Sequence, residues 1–314
     1  KDMVYAATPS GTVSRVALAT GAVGWRVELG PLSSGVGSDG RTIAVVTSKG
    51  EVVALDASGT EKWRAQASSA VGIPPVVGDG VVVVRSTDYR IQAFDAATGK
   101  PRWNVQRPGP ALALSTSMQM LIVQNVVISG LPNGHLLVID AATGAVRWEG
   151  SVSVSQGASD LERINDVVGA PLALGPLLCA ASYQGRLVCF DVSQGGRAVW
   201  AQPFSSATGI TSDGRLIYGA TQRDVVKAFA LNDGHEVWKQ DALLNRRLST
   251  PAVIGSAVAL GDYEGYIHFL SRQDGHLMGR IQVDGDPILS PLLAVPQGIL
   301  VQTSSGNLIL VGLH

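Results

Sequence analysis

Two cysteines, Cys179 and Cys189, and five histidines, His135, His235, His268, His276 and His314, are the side chains of this 314-residue chain best suited to metal or redox chemistry. Their spacing argues against both. A structural zinc or a dithiol centre wants cysteines about two to four residues apart, or histidines on one helical face. These cysteines stand ten apart, and no two histidines have helical ligand spacing. A cross-strand disulfide and a pair of buried thiols both fit Cys179 and Cys189; the burial habit of free cysteine favours thiols. Each histidine lies near a turn or strand, where a solvated imidazole is expected. Gly35-Val36-Gly37-Ser38-Asp39-Gly40 has the glycine pattern of a dinucleotide-binding turn, but no helix follows to receive a pyrophosphate, so the match is accidental. Nucleophile-elbow, HExxH, P-loop and EF-hand patterns are missing from the sequence. These residues point to no enzyme, no cofactor and no bound metal.

The elements that carry them follow from a repeat. Trp25, Trp63, Trp103, Trp148, Trp200 and Trp238 each stand four residues after a glycine: Gly21, Gly59, Gly99, Gly144, Gly196 and Gly234. Successive tryptophans are 38, 40, 45, 52 and 38 residues apart, the period of a supersecondary unit recurring about an axis. One unit reads as strands at Pro74 to Val77, Val81 to Arg85, Arg90 to Asp95 and Lys100 to Val105, with turns between them. The recurring aspartates and glycines of Ser38-Asp39-Gly40, Ser212-Asp213-Gly214 and Asp140 to Gly144 are turn chemistry: a short carboxylate bonds the local backbone, and glycine reaches positive φ. Hairpins turning at Gly11, Gly50, Tyr89, Gly134, Gly185, Asp224, Gly265 and Gly306 give eight units. The predicted fold is all-β, an eight-bladed β-propeller of four-stranded antiparallel blades occupying 1–314 as a single domain. A tryptophan on each outer strand packs between neighbouring sheets. In the seventh unit Gly279 takes that position, so its seam needs another filling. The sequence opens in the second strand of blade one and stops at Leu313 after the third strand of blade eight, so an upstream segment is expected to supply the missing strands.

Composition narrows the partners. Charged residues make up 16% of the chain and its formal net charge is -1, too little basic field to hold a nucleic-acid backbone. Val167 to Ala181, the most apolar stretch, is broken by Gly169, Pro171, Gly175 and Pro176 and reads as two strands and a turn. What survives is topological. Connections between blades emerge on the same face as the turns between second and third strands. Leu112 and Leu114 alternate on the connection into blade four. The excess length, Ser153 to Val168, leads into blade five and carries Asp160, Glu162, Arg163 and Asp166. Leu243-Leu244-Asn245-Arg246-Arg247 leads into blade seven, and Tyr89, Tyr183 and Tyr263 sit at turns on the same face. Apolar, aromatic and mixed-charge groups on a rigid platform describe a protein-docking surface better than a small-molecule pocket.

Gly157 to Val167, Asp241-Ala242-Leu243-Leu244 with Arg246, and Gly261-Asp262-Tyr263-Glu264-Gly265-Tyr266 resemble the outer-membrane protein assembly factor BamB family, and the likeness covers the whole chain. The resemblance implies a non-enzymatic periplasmic lipoprotein, held at the outer membrane by an N-terminal lipidated cysteine that this sequence lacks. It implies one copy in a complex, binding the POTRA domains of BamA and assisting unfolded outer-membrane protein clients. Strand addition by such clients at a propeller edge is compatible with it. The family's contact motifs, Leu-x-Leu-Arg and Asp-x-Asp, match at Leu112, Leu114 and Asp166. Ser115 stands at the arginine position and Val168 at the second aspartate, which passes the cationic role to Arg163 or Arg246. The alternatives are a propeller scaffold for another partner and a quinoprotein dehydrogenase, whose adjacent cysteine pair and acidic calcium site this chain lacks.

Overall fold

The computed structural model describes residues 3–110, 112–114, 118–154 and 159–312. Eight antiparallel sheets follow one another along the chain, each built from strands consecutive in sequence. Six have four strands. The first has three, Met3–Ala7, Thr12–Ala17 and Val23–Glu28, and the last has three, Leu293–Val295, Gly298–Gln302 and Leu308–Gly312. Among the described residues these two sheets have one strand fewer than the others; Leu313 lies outside the described residues. The third blade places its strands at Val76–Gly78, Val81–Arg85, Arg90–Asp95 and Pro101–Gln106, within two residues of the sequence reading at each end.

Side-chain burial follows strand position. The second strands Thr42–Val46, Val81–Arg85, Leu216–Ala220 and Ala257–Gly261 are buried throughout, because both faces are covered by neighbouring sheets. They therefore read as unbroken β-branched and aliphatic runs rather than as alternation. Outer strands such as Glu61–Gln66 and Glu236–Gln240 bury their tryptophan and little else.

Contacts divide the chain into two compact units: Lys1–Pro110 with Gln119–Ser129 and Leu137–Glu149, and Ala111–Met118 with Gly130–Leu136 and Gly150–His314. Each contains the same joint. In the first, the indole N–H groups of Trp25, Trp63 and Trp103 donate to the carbonyls of Ala57, Ala96 and Ala141 at 2.9, 3.1 and 2.8 Å. In the second, Trp200 donates to Leu231 and Trp238 to Arg272, at 2.8 and 3.0 Å. Each acceptor lies in the outer turn of the following blade, and the glycine of that turn is the seat of the ring. A Cβ built on Gly99 falls 2.6 Å from Trp63, and one on Gly234 falls 2.4 Å from Trp200. Glycine and tryptophan recur at fixed spacing because each turn seats the indole of the blade before it. At the seventh seam, where Gly279 replaces tryptophan, Phe269, Ile288, Ile299 and Ile309 join one apolar cluster.

The turn chemistry is as read. Asp39 accepts from the backbone N–H groups of Arg41 and Thr42, and Asp95 from those of Ala97 and Thr98. One turn differs: in blade five the left-handed residue is Gln184, φ 47°, rather than Gly185. Cys179 and Cys189 are corrected too. They lie directly opposite in register on the second and third strands of blade five and form a disulfide, not free thiols. Both are fully buried, so burial alone could not distinguish the two states.

Candidate docking surface

Backbone hydrogen bonds bring inter-blade connections and inner hairpin turns to one face. Val152 and Ser153, leaving blade four, donate to Gly134 in its turn; Phe204 donates to Gly185, and Val283 to Gly265. Each connection then reaches the next blade, as Tyr183 N–H donates to the Asp166 carbonyl at 2.8 Å and Tyr263 N–H to that of Arg246 at 3.1 Å.

Leu112, Leu114 and Asp166 belong to this face, and the structure brings them together. The Leu114 N–H donates to Asp166 Oδ2 at 2.6 Å. Asp166 is fully buried, so its carboxylate is an internal clasp: it ties the connection into blade four to the one into blade five. A charge-assisted hydrogen bond of this kind is among the stronger non-covalent ties available to a loop. The clasp leaves Leu112 45% exposed and Leu114 half-buried, so the two leucines are not equivalent. Asn165 supports it from the same connection, donating to the carbonyl of Ser153 at 3.3 Å. Ser115 and the stretch Gly157-Ala158 lie outside the described residues.

Farther along the same connection, Ser159 N–H donates to Glu162 Oε2 and Glu162 N–H to Ser159 Oγ, a reciprocal cap that rounds the chain into a tight turn. Arg163 is 53% exposed and pairs with Asp160 at 3.8 Å. The turn thrusts Leu161 into solvent, 66% exposed, with Val154 exposed nearby in sequence. Neither was singled out from sequence, although an aliphatic residue inside an acidic, capped turn was the available signal.

Arg246 belongs to a separate group on blade seven. It donates to Asp262 at 3.0 Å and to Glu264 at 3.0 Å, and lies 5.9 Å from the Tyr266 ring. Asp262, fully buried, also binds His268 Nε2 at 2.8 Å and caps its own turn at Glu264 and Tyr266. His268 is thus no solvated imidazole: it is 2% exposed, and burial pushes it below the usual imidazole range against the pull of Asp262. His235 and His276 are solvated, each beside an aspartate two residues earlier, and His314 is outside the described residues. No group of three potential metal-ligating side chains occurs among the described residues, and no helix among them is long and apolar enough to cross a membrane.

These features can be set beside known proteins. Residues 9–240 match the family model described as outer membrane protein assembly factor BamB. The protein of that name from Bordetella pertussis is 57% identical over 99% of this chain and 81% of its own length. The one from Burkholderia pseudomallei is 38% identical over 98% and 81%. Both carry the name of an assembly factor. The crystal structure of BamB from Moraxella catarrhalis superposes with a TM-score of 0.91 at 26% identity, covering 98% of this chain and 92% of that one. The eight sheets are accordingly the blades of an eight-bladed β-propeller, and the chain belongs to the outer membrane protein assembly factor BamB family.

Proposed function

We propose that this chain is a non-enzymatic scaffold in outer-membrane protein assembly, docking the POTRA domains of BamA on the face that carries the connections into blades four and five. The observation that supports it most is the Leu114–Asp166 clasp: a buried carboxylate holds the backbone of half-buried Leu114, two residues from exposed Leu112. An aliphatic anchor whose neighbouring backbone is tied down before binding loses less conformational entropy on docking, which is how a small contact becomes an effective one. In this reading Leu112 and Leu114 touch the partner, Arg163 supplies the cation, and Asp166 positions the leucines without touching the partner. Arg246, already matched by two carboxylates, shapes the neighbouring blade-seven surface. The same proposal includes a single domain over 1–314, a lipid-anchored position at the periplasmic face of the outer membrane, and assistance to unfolded clients.

The test is titration of an isolated POTRA tandem into the whole chain, comparing wild type, Leu112→Ser with Leu114→Ser, and Asp166→Ala. Truncated hot-spot side chains commonly cost about 1–2 kcal/mol or more, so each variant should bind roughly tenfold or more weakly. Wild-type affinity in both variants, with circular dichroism unchanged, would refute the site.

A further inference from the structure

Blade seven departs from the repeat at one residue, and a cleft lies beside it. Its outer strand, Leu277–Gln282, carries Gly279 where the other outer strands carry tryptophan, and all six of its residues are exposed. Leu277 and Met278 on this strand, together with Leu244 on the connection into the blade, wall a cleft of about 420 Å³ also lined by Arg246, His268 and Arg280. Those three aliphatic side chains are 43%, 50% and 45% exposed.

Charge is unevenly distributed around it. Arg246 is matched by Asp262 and Glu264, and His268 is fixed by Asp262. Arg280 stacks 4.8 Å from the Tyr266 ring, and no carboxylate pairs with it among the described residues. The cleft therefore combines apolar walls, a floor locked by a buried hydrogen-bonded group, and one cation awaiting an anion.

We propose that this cleft docks an acidic, leucine-bearing peptide segment of a partner protein, an apolar side chain lying against Leu244, Leu277 and Met278 and an adjacent carboxylate on Arg280. The locked floor means that little ordering is needed on binding. A guanidinium over an aromatic ring still has N–H donors to offer a carboxylate. An anionic lipid surface calls instead for several unmatched cations side by side, and a small free anion has no use for aliphatic walls. This site is separate from the Leu112–Asp166 surface and stands whether or not that surface meets BamA.

The probe is a fluorescein-labelled ten-residue peptide of alternating glutamate and leucine, titrated against the whole chain by fluorescence anisotropy. Saturable binding is expected, at least tenfold weaker for Arg280→Glu and for Met278→Ser, weakened less by Arg280→Lys, and unchanged by Arg197→Glu on the exposed start of the outer strand of blade five. A peptide with lysine in place of glutamate should not bind, and added salt should weaken the glutamate peptide. No binding to wild type, or equal binding to folded Arg280→Glu, would overturn the proposal. So would Arg280-dependent binding to phosphatidylglycerol vesicles without peptide binding.

Discussion

Gly234 and Gly214 lie in one blade, and both are left-handed, with φ of +75° and +85°. An alanine at either position bears the same conformational cost, about 1–2 kcal/mol. They differ in what a methyl group meets. Nothing lies within 4 Å of a Cβ on Gly214, whereas one on Gly234 falls 2.4 Å from Cε3 of Trp200. That ring is 8% exposed and its N–H donates to Leu231 at 2.8 Å, so it has no slack and must tilt out of its seat. Losing the hydrogen bond costs about 1 kcal/mol. Losing part of the packing adds a further share of the roughly 3–5 kcal/mol that removing a buried tryptophan costs. Gly234→Ala should thus lose about 4 kcal/mol in all, some 2–3 kcal/mol more than Gly214→Ala. Equilibrium urea unfolding followed by far-UV circular dichroism and tryptophan fluorescence measures both. Equal destabilisation of the two variants would refute the interlock of glycine and indole as the cause of the repeat's spacing.

Three further outcomes are expected. Replacing Cys179 and Cys189 by alanine should cost about 3 kcal/mol or less, the loop-closure entropy of so short a loop, and reducing agent should destabilise wild type but not the double variant. Burial raises the pKa of Asp213, 4% exposed, but the backbone N–H groups of Leu216 and Arg215 together with Arg272 and Tyr218 outweigh burial and lower it to about 2 from 3.8. Its folded value is the depressed one, so its contribution of about 2 kcal/mol is complete above pH 3.8 and lost as pH falls towards 2; Asp213→Asn should flatten that limb of a stability–pH curve. Trp63→Ala, which empties the seat on Gly99 and leaves the Ala96 carbonyl without its indole donor, should cost about 3–5 kcal/mol in urea unfolding.

Local rules carried much of the fold into the sequence. Trp63 and Gly99 show why: the spacing seen along the chain is the spacing of an interlock repeated from blade to blade, and the aspartate caps act within four residues. The site was legible only in outline. Leu112 and Asp166 could be placed on one face from topology, but whether Asp166 looks outward or inward depends on Leu114, 52 residues away. His268 misled for the same reason, since its surroundings come from Asp262 and the Arg246 connection. Cys179 and Cys189 were recognisable as hairpin neighbours. Their oxidation rests on register, which a shift of one residue would have undone. Leu161 was hidden by its charged neighbours.

The most direct measurement is site-specific photocrosslinking in cells, with a photoreactive residue at position 112 or at position 175, in the turn between the first two strands of blade five on the opposite face. Crosslinks from position 112 to the POTRA domains of BamA, with none from position 175, are the expected result. Crosslinks from 175 and none from 112 would contradict the docking face.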